Sequence, residues 1–266
     1  VLADNQSYDV ILSDSIHPRF SGNGSLYTYD YYKLLKKRLK PGGLVSQWLP
    51  FYSITPKNFL MIVKSFHEVF PNTSVWFANN TINSYVIVIG KLDDGKIDFA
   101  DLEKKLAIPG VYKDLKEINC HTPYRILDFF FFANEQVGRF VGDVPLHTDD
   151  NMAVEYLSGK AVSKTLTSYY NYIYLLKHRT EVNDYLVNLD KASQSKEEIL
   201  KTLHRYWFAT SYNLRGQRLF WEGNRESAFR QFQLAVRSNP EDREPVEYFG
   251  APYQNPFLQQ ADFVRF

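Results

Sequence analysis

Three segments between residues 8 and 49 decide the fold: YDVILS at residues 8–13, YTYDYYKLLKKRL at residues 27–39 and LVSQWL at residues 44–49. The first and third segments are short, apolar and β-branched, which is typical of buried strands. In the middle segment Thr28 is a good helix N-cap, and apolar residues recur at helical spacing up to Leu39. The Pro-Gly-Gly sequence at residues 41–43 ends the predicted helix. The pattern predicts two parallel strands joined by a helix.

The next segments extend this pattern by one helix and two strands. Thr55 and Pro56 predict the start of a helix that runs to about Phe70. Strands are predicted at residues 73–77 and 85–90, and the seven residues between them are too few for a parallel crossover. We therefore expect an antiparallel final pair. This is the α/β fold class of the second half of a Rossmann-like sheet, in the variant found in S-adenosylmethionine-dependent transferases, followed by an α-helical extension.

The sequence predicts three regions: residues 1–92, the second half of the α/β domain; residues 93–160, a mixed α/β elaboration; and residues 161–266, a helical extension. In the second region, the four phenylalanines at residues 129–132 predict a buried helix turn rather than a binding surface. Residues 146–157 predict a loop and then a short strand. Residues 214–240 fit one tetratricopeptide-like helix pair turning at Gly223. An ordinary helical hairpin remains the alternative to a hairpin that binds a partner protein.

Composition and charge exclude several classes of function. The 31 basic and 30 acidic residues nearly cancel, so we expect no nucleic-acid partner. A single cysteine, Cys120, excludes an intramolecular disulfide and fits a reducing compartment. The histidines have no metal-ligand spacing, and His147 with the neighbouring Asp149 and Asp150 is interpreted as a polar loop at the rim of the sheet, so no metal is expected. No apolar run is long enough to cross a bilayer.

Several motifs in order resemble the spermidine synthase (aminopropyltransferase) family: YDVILSDS at 8–15, Pro18, SLYTYDYYKLLKKRLKPGG at 25–43, SQWLPFY at 46–52 and SFHEVFPNTSVW at 65–76. The TDD sequence at 148–150 with Glu155 and Tyr156 is similar to the ending of multidomain bacterial members. In those members the domain can follow membrane helices. We therefore expect a cytoplasmic location, either free or as the cytoplasmic part of a membrane-anchored protein.

The resemblance implies a catalytic role for Asp14, which would hold or deprotonate the attacking amine, and substrate-binding roles for Ser15, His17 and Gln47. Their positions agree, because ligands of open α/β sheets lie at the carboxyl ends of the strands. A capping aspartate and an ordinary polar strand end remain the alternatives for Asp14 and Gln47. The chain departs from the family at two places. His17 replaces the second acid of the family's Asp-Ser-x-Asp-Pro loop, and NNTINSY at 79–85 does not match the family's tyrosine-and-glycine segment.

The resemblance also implies the co-substrate. Decarboxylated S-adenosylmethionine or S-adenosylmethionine is expected to react with a small amine, with no prosthetic group and no metal. The family's nucleotide-binding motifs would lie upstream of Val1, and the first residues are typical of the middle of a domain, so we expect a fragment. The strand at residues 8–13 would be central in an intact sheet. An N-terminal half or another chain is therefore expected to cover its free edge.

The leading hypothesis for function is aminopropyl transfer to an amine by the full polypeptide, with this piece inactive alone. A non-catalytic binding or scaffolding module with a degenerate transferase fold is the alternative, favoured by His17 and the missing tyrosine segment. A third hypothesis is methyl transfer on the same fold.

Overall fold

The computed structural model describes residues 6–14, 16–78, 84–157 and 163–240. By residue contacts the chain forms two compact units. Unit 1 comprises the described parts of residues 1–78, 82–97 and 130–185, and unit 2 comprises residues 98–129 and the described part of 186–266. The first unit therefore draws on two separate stretches of the sequence.

In chain order the helices and strands are β1 (Tyr8–Ser13), α1 (Tyr29–Lys36), β2 (Leu39–Pro50), α2 (Pro56–Val69), β3 (Asn72–Trp76), β4 (Tyr85–Lys91), β5 (Ile97–Asp98), α3 (Phe99–Leu106), α4 (Pro109–Glu117), α5 (Pro123–Asp128), β6 (Phe130–Ala133), α6 (Glu135–Val141), α7 (Ala153–Leu157), α8 (Lys164–Lys177), β7 (Leu186–Val187), α9 (Lys196–Trp221) and α10 (Arg225–Ser238). Short 3-10 turns occupy Gly24–Tyr27, Asn183–Tyr185 and Leu189–Lys191. None of the described helices is both long and apolar enough to cross a membrane.

Unit 1 is built on a five-stranded sheet with the order β1-β2-β4-β3-β6. Strands β1 and β2 are parallel, whereas β4 is antiparallel to both β2 and β3. The predicted strand-helix-strand unit and the antiparallel final pair are confirmed. The architecture is a mixed α/β sheet of the Rossmann-like transferase type with a helical C-terminal part.

Two helices of unit 1 begin at the predicted caps. The Thr28 hydroxyl oxygen accepts a hydrogen bond from the backbone N–H of Tyr31 at the start of α1. The Thr55 side chain accepts from the backbone N–H of Asn58, and Pro56 occupies the first turn of α2. Each cap satisfies a donor that the helix itself leaves unpaired. The helices therefore start where local sequence chemistry favours a start.

Three sequence expectations about individual elements are wrong. Helix α1 ends at Lys36, and residues 39–43 belong to β2 because Leu39 pairs with Tyr8 across a register shift. Residues 130–132 are buried as predicted but form β6, which pairs with β3. Residues 153–157 form α7 instead of a strand. A short apolar run without clear periodicity does not distinguish a helix from a strand.

The two faces of the sheet differ in exposure. Ile11 and Val45 pair on the first face, which is buried, and Gly90 of β4 lies on that face against Phe66 of α2 and against Phe70, the residue that follows α2. From Leu44 to Trp48 of β2, and along the whole of β4, alternate residues lie on the second face and are only half-buried. The members of this second sheet face include Val10, Leu12, Leu44, Ser46, Trp48, Tyr85, Ile87, Ile89 and Lys91. Most of them are apolar, so this face has the composition of a surface that packs against another layer.

Unit 2 contains the predicted helical hairpin. Helices α9 and α10 pack against each other, and Gly216 of α9 lies so close to the Phe232 ring that a Cβ atom there would be 2.6 Å from it. Elsewhere in this unit the buried Asp128 carboxylate accepts hydrogen bonds from Thr210 and Arg125. The predicted helix pair is present, and its assignment as a tetratricopeptide-like unit stays a prediction. The C-terminal end of the chain, residues 241–266, lies outside the described residues.

Candidate active site

The candidate site lies at the carboxyl ends of β1 and β2. Because these strands are parallel, their carboxyl ends meet at one edge of the sheet, and Ser13 pairs with Gln47 there. Asp14 follows Ser13 directly and its side chain is exposed to solvent. Ser15, the next predicted site residue, lies outside the described residues. The structure therefore brings Asp14 and Gln47 to the same edge, as expected for a ligand site in an open α/β sheet.

Gln47 is a buried polar side chain whose carboxamide oxygen has no hydrogen-bond donor among the described residues. It is 1% exposed, and its carboxamide nitrogen donates to the backbone oxygens of Ser13 and Trp48 at 3.3 and 2.9 Å. Within the described part of the chain, its carboxamide oxygen accepts no hydrogen bond. A buried acceptor without a donor costs free energy, on the order of 1–3 kcal/mol. An N–H group of a ligand would satisfy it.

His17 is held by the main chain on both sides of its ring. Its Nε2 lies 2.9 Å from the Tyr52 carbonyl oxygen, and its Nδ1 accepts from the backbone N–H of Arg19 at 3.2 Å. Since Nδ1 accepts, Nε2 carries the proton and donates, which is the neutral tautomer. Burial lowers the pKa of His17, and the nearby Arg19 charge lowers it further. The imidazole therefore joins two loops and stays uncharged at neutral pH.

Two tyrosines that contact the loop after β1, Tyr27 and Tyr52, are not among the site residues predicted from the sequence. Tyr27 is 1% exposed and donates a hydrogen bond from its hydroxyl to the Ile16 backbone oxygen at 2.8 Å. Burial raises the pKa of Tyr27 strongly, and the Asp14 charge contributes to the same shift. Tyr52 stacks edge-on against His17, with ring centroids 5.0 Å apart. Both residues lie within motifs that carry the family resemblance, at residues 25–43 and 46–52, but the sequence alone does not show that their side chains reach the site.

The loop after β2 is fixed by α8. Ser53 adopts a φ of 54°, a left-handed conformation that is uncommon for a residue other than glycine. Its backbone N–H donates to the Thr167 hydroxyl at 2.8 Å, and the Asn171 side chain donates to the backbone oxygen of Phe51 at 2.7 Å. At the start of the same helix, the Lys164 ammonium lies 5.0 Å from the centroid of the Tyr52 ring. Helix α8 thus sets the position of Tyr52.

A second segment, residues 147–155, holds the loop that follows Asp14. The Thr28 hydroxyl donates to the Asp149 carboxylate at 2.7 Å, and the Gly22 backbone N–H donates to Glu155 at 3.0 Å. His147 Nε2 lies 3.0 Å from the Gly24 carbonyl oxygen. These contacts join residues that are more than 100 positions apart in sequence. The TDD sequence therefore has a structural role at the rim of the site.

His147 belongs to a loop, and its side chain is packed more deeply than those of the neighbouring aspartates. It is completely buried, and its Nδ1 lies 3.0 Å from the Asn151 carbonyl oxygen. Burial lowers the pKa of His147, against the opposing effects of the two carbonyl oxygens and of Asp149 and Glu155. The imidazole works as a packing and hydrogen-bonding group. Across the described ranges, no group of three or more histidine, cysteine, aspartate or glutamate side chains is arranged to hold a metal ion.

The arrangement has the groups that a cationic amine requires. Asp14 supplies an exposed negative charge that can pair with an ammonium group or take up its proton. Gln47 supplies an acceptor that lacks a donor. Because His17 is neutral, it adds no repulsive charge to the site.

Comparison with known proteins gives one result that bears on this site. The family model described as the spermine/spermidine synthase domain matches residues 1–98, which include β1, β2 and both Asp14 and Gln47. No curated protein matches the chain. The order of the strands and the position of the candidate site agree with this match, and over residues 1–98 the chain is similar to the spermine/spermidine synthase domain.

Proposed function

We propose that this domain takes part in the transfer of an aminopropyl group from decarboxylated S-adenosylmethionine to an amine. The observation that carries the proposal is that Gln47 of β2 pairs with Ser13, the last residue of β1, so that it lies beside the strand end that Asp14 follows. Asp14 presents its charge to solvent, and Gln47 holds an unsatisfied acceptor at the same edge. The match of residues 1–98 to the spermine/spermidine synthase domain supports the same reaction class.

The proposed chemistry needs a neutral amine placed in line with a carbon next to a sulfonium. Asp14 first binds the ammonium form and accepts one of its protons, directly or through water. The nitrogen lone pair then forms the new N–C bond while the C–S bond breaks, and methylthioadenosine leaves as a neutral thioether. The secondary ammonium product loses its proton to solvent. Correct placement of the two reactants supplies most of the rate enhancement in such a displacement.

We further propose that another α/β segment covers β1 in the active protein and supplies the nucleotide-binding groups. Val10 and Leu12 of β1 are 50% and 74% exposed, although the strand is apolar and parallel to β2. Parallel sheets are normally covered on both faces. An N-terminal half of the same polypeptide or a separate chain would bury these side chains. We place the reaction in the cytoplasm, because the single Cys120 fits a reducing compartment.

The experiment is a product analysis on the natural polypeptide. Decarboxylated S-adenosylmethionine is offered with a panel of amines, S-adenosylmethionine is offered separately, and the nucleoside product is identified by mass spectrometry. Methylthioadenosine is the expected product. S-adenosylhomocysteine would instead establish methyl transfer. A folded protein that forms neither product would favour the non-catalytic binding module.

A further inference from the structure

A row of rings and cations, which is not part of the Asp14 and Gln47 pair, lies next to the candidate site. The His17 ring is 5.8 Å from the Phe20 ring and 5.0 Å from the Tyr52 ring, measured between centroids. The Arg19 guanidinium lies 5.0 Å from the centre of Phe20, and Lys164 lies at the same distance from Tyr52. We refer to Arg19, Phe20, His17, Tyr52 and Lys164 as the cation–ring strip.

The strip is assembled at the same edge of the sheet as the candidate site. Arg19 and Phe20 belong to the loop after β1, Tyr52 to the loop after β2, and Lys164 to the first turn of α8. Since β1 and β2 are parallel, both loops leave the sheet at its carboxyl edge. A ligand whose amine lies at Asp14 therefore has this strip as a neighbouring surface.

The charge of the strip is positive. Its fixed charges are those of Arg19 and Lys164, since His17 is held in its neutral form by the Tyr52 carbonyl oxygen and the Arg19 backbone N–H. Among the residues that the structure describes, the Arg19 guanidinium has no carboxylate partner. An arginine that lies over a ring keeps its N–H groups available for bidentate hydrogen bonds to an anion.

A diamine fits this surface poorly. If its first ammonium group binds Asp14, its second would lie beside a positively charged strip, and like charges in a partly desolvated site repel. A carboxylate on the same carbon chain would meet Arg19 and Lys164 instead. Phe20, which is 53% exposed, and Tyr52 offer apolar surface to the methylene groups between the two charged ends.

We propose, resting on the proposed function, that the acceptor is an amine that carries a carboxylate at its other end. Its amine binds at Asp14 and Gln47, and its carboxylate binds at the cation–ring strip. Arg19 and Lys164 are then the specificity-determining residues, and they select an amino acid over a diamine of the same length.

The test compares two acceptors of equal chain length, 4-aminobutanoate and 1,4-diaminobutane, with decarboxylated S-adenosylmethionine and the natural polypeptide. The expected result is a kcat/KM for 4-aminobutanoate at least about tenfold higher, equivalent to about 1.4 kcal/mol. In the Arg19→Glu and Lys164→Glu variants this preference falls or reverses in favour of the diamine. The control variant Lys37→Glu makes the same charge change on the exposed end of α1, and it leaves the preference unchanged.

The outcomes separate this inference from the proposed function. Methylthioadenosine formed faster with the diamine than with the amino acid would overturn the inference and leave aminopropyl transfer standing. If neither acceptor gives methylthioadenosine, the proposed function fails, and calorimetric titration of the two amines then decides the inference. Binding of 4-aminobutanoate that is stronger than binding of the diamine and is lost in Arg19→Glu supports it. Absent binding, or binding that the variant does not change, overturns it.

Discussion

At the scale of single residues, His17 and Gln47 are two buried polar side chains whose roles differ because their hydrogen-bond partners differ. Both ring nitrogens of His17 contact backbone groups, so the ring positions the loop after β1 against the loop after β2. Gln47 uses its nitrogen in the same way and keeps its oxygen without a donor in the described structure. Of the two, Gln47 is the better candidate for direct contact with a substrate.

The buried histidines predict a pH dependence of stability. Burial is the main cause of the lowered pKa values of His17, His67 and His147 in the folded protein. In the unfolded chain each histidine has the ordinary pKa of about 6.5, so near and below that pH the unfolded chain binds more protons than the folded one. Their contribution to stability is fully present above that value and is lost as the pH falls below it. We expect the denaturant midpoint to be lower at pH 5.0 than at pH 7.5.

The His17→Gln variant isolates one of these groups. Glutamine does not titrate in this range. The decrease in the denaturant midpoint from pH 7.5 to pH 5.0 should therefore be smaller in the variant than in the wild type, even if the variant is less stable at both pH values. Carboxylates with lowered pKa values, such as Asp30, lose their contribution at more acidic pH and do not interfere. An unchanged pH dependence would contradict the assignment of His17 as a buried neutral group.

At the same scale, the sequence predicts the carboxyl-end positions of Asp14 and Gln47, because strand ends can be located from local patterns. It does not predict the engagement of His17 by the Tyr52 carbonyl oxygen, or the approach of Lys164 to the Tyr52 ring. These contacts join residues 35 and 112 positions apart, and they depend on how the loops and α8 pack. The positions of the missed residues follow from tertiary structure and not from spacing in the sequence.

At the scale of elements, the packing of α2 on β4 allows a direct test of the first sheet face. A Cβ atom at Gly90 would lie 2.7 Å from the Cβ and Cγ atoms of Phe70 and from the Phe66 ring. Because both phenylalanines are buried, the helix would have to shift. We expect Gly90→Ala to reduce the free energy of unfolding by roughly 1–3 kcal/mol, measured by chemical denaturation.

The control for this substitution is Gly110→Ala in α4. No atom lies within 4 Å of a Cβ placed at Gly110, so the change should be neutral or stabilise the helix by up to about 1 kcal/mol. Equal effects of the two substitutions would show that α2 does not pack on β4 as described.

Elements with a side-chain cap and a clear hydrophobic period are the ones that the sequence predicts best. Helix α2 begins at its predicted Thr55 cap, and the antiparallel pair of β3 and β4 was expected from a short connection. Strand β6 was missed because consecutive phenylalanines carry no period, and its partner β3 is more than 50 residues away in sequence. Residues 39–43 were missed because Pro-Gly-Gly is a common helix stop, whereas here it lies within β2.

At the scale of the whole molecule, the exposed side chains of β1 make the proposed cover testable. Leu12 is 74% exposed in this structure, compared with 41% for Leu34 on α1. If nothing covers β1, Leu12→Lys should cost less stability than Leu34→Lys. If the proposed α/β segment covers it in the natural polypeptide, Leu12 is buried there, and Leu12→Lys should cost about 1.5–3 kcal/mol.

Chemical denaturation of the natural polypeptide and these two variants separates the possibilities. We expect Leu12→Lys to be clearly destabilising and Leu34→Lys to change stability by less than about 0.5 kcal/mol. The reverse order would show that the free edge and second face of the sheet stay in solvent, and the nucleotide-binding groups would then have to be sought elsewhere.

The role of Asp14 in aminopropyl transfer is tested by the rate of methylthioadenosine formation by the natural polypeptide and by its Asp14→Asn and Asp9→Asn variants. Both aspartates belong to or directly follow β1, and both are exposed, but Asp9 pairs with Lys40 near the opposite end of the strand. We expect a loss of at least about a hundredfold in Asp14→Asn, the size typical of removing a general base, and near wild-type turnover in Asp9→Asn. Equal turnover by all three proteins would contradict the role of Asp14.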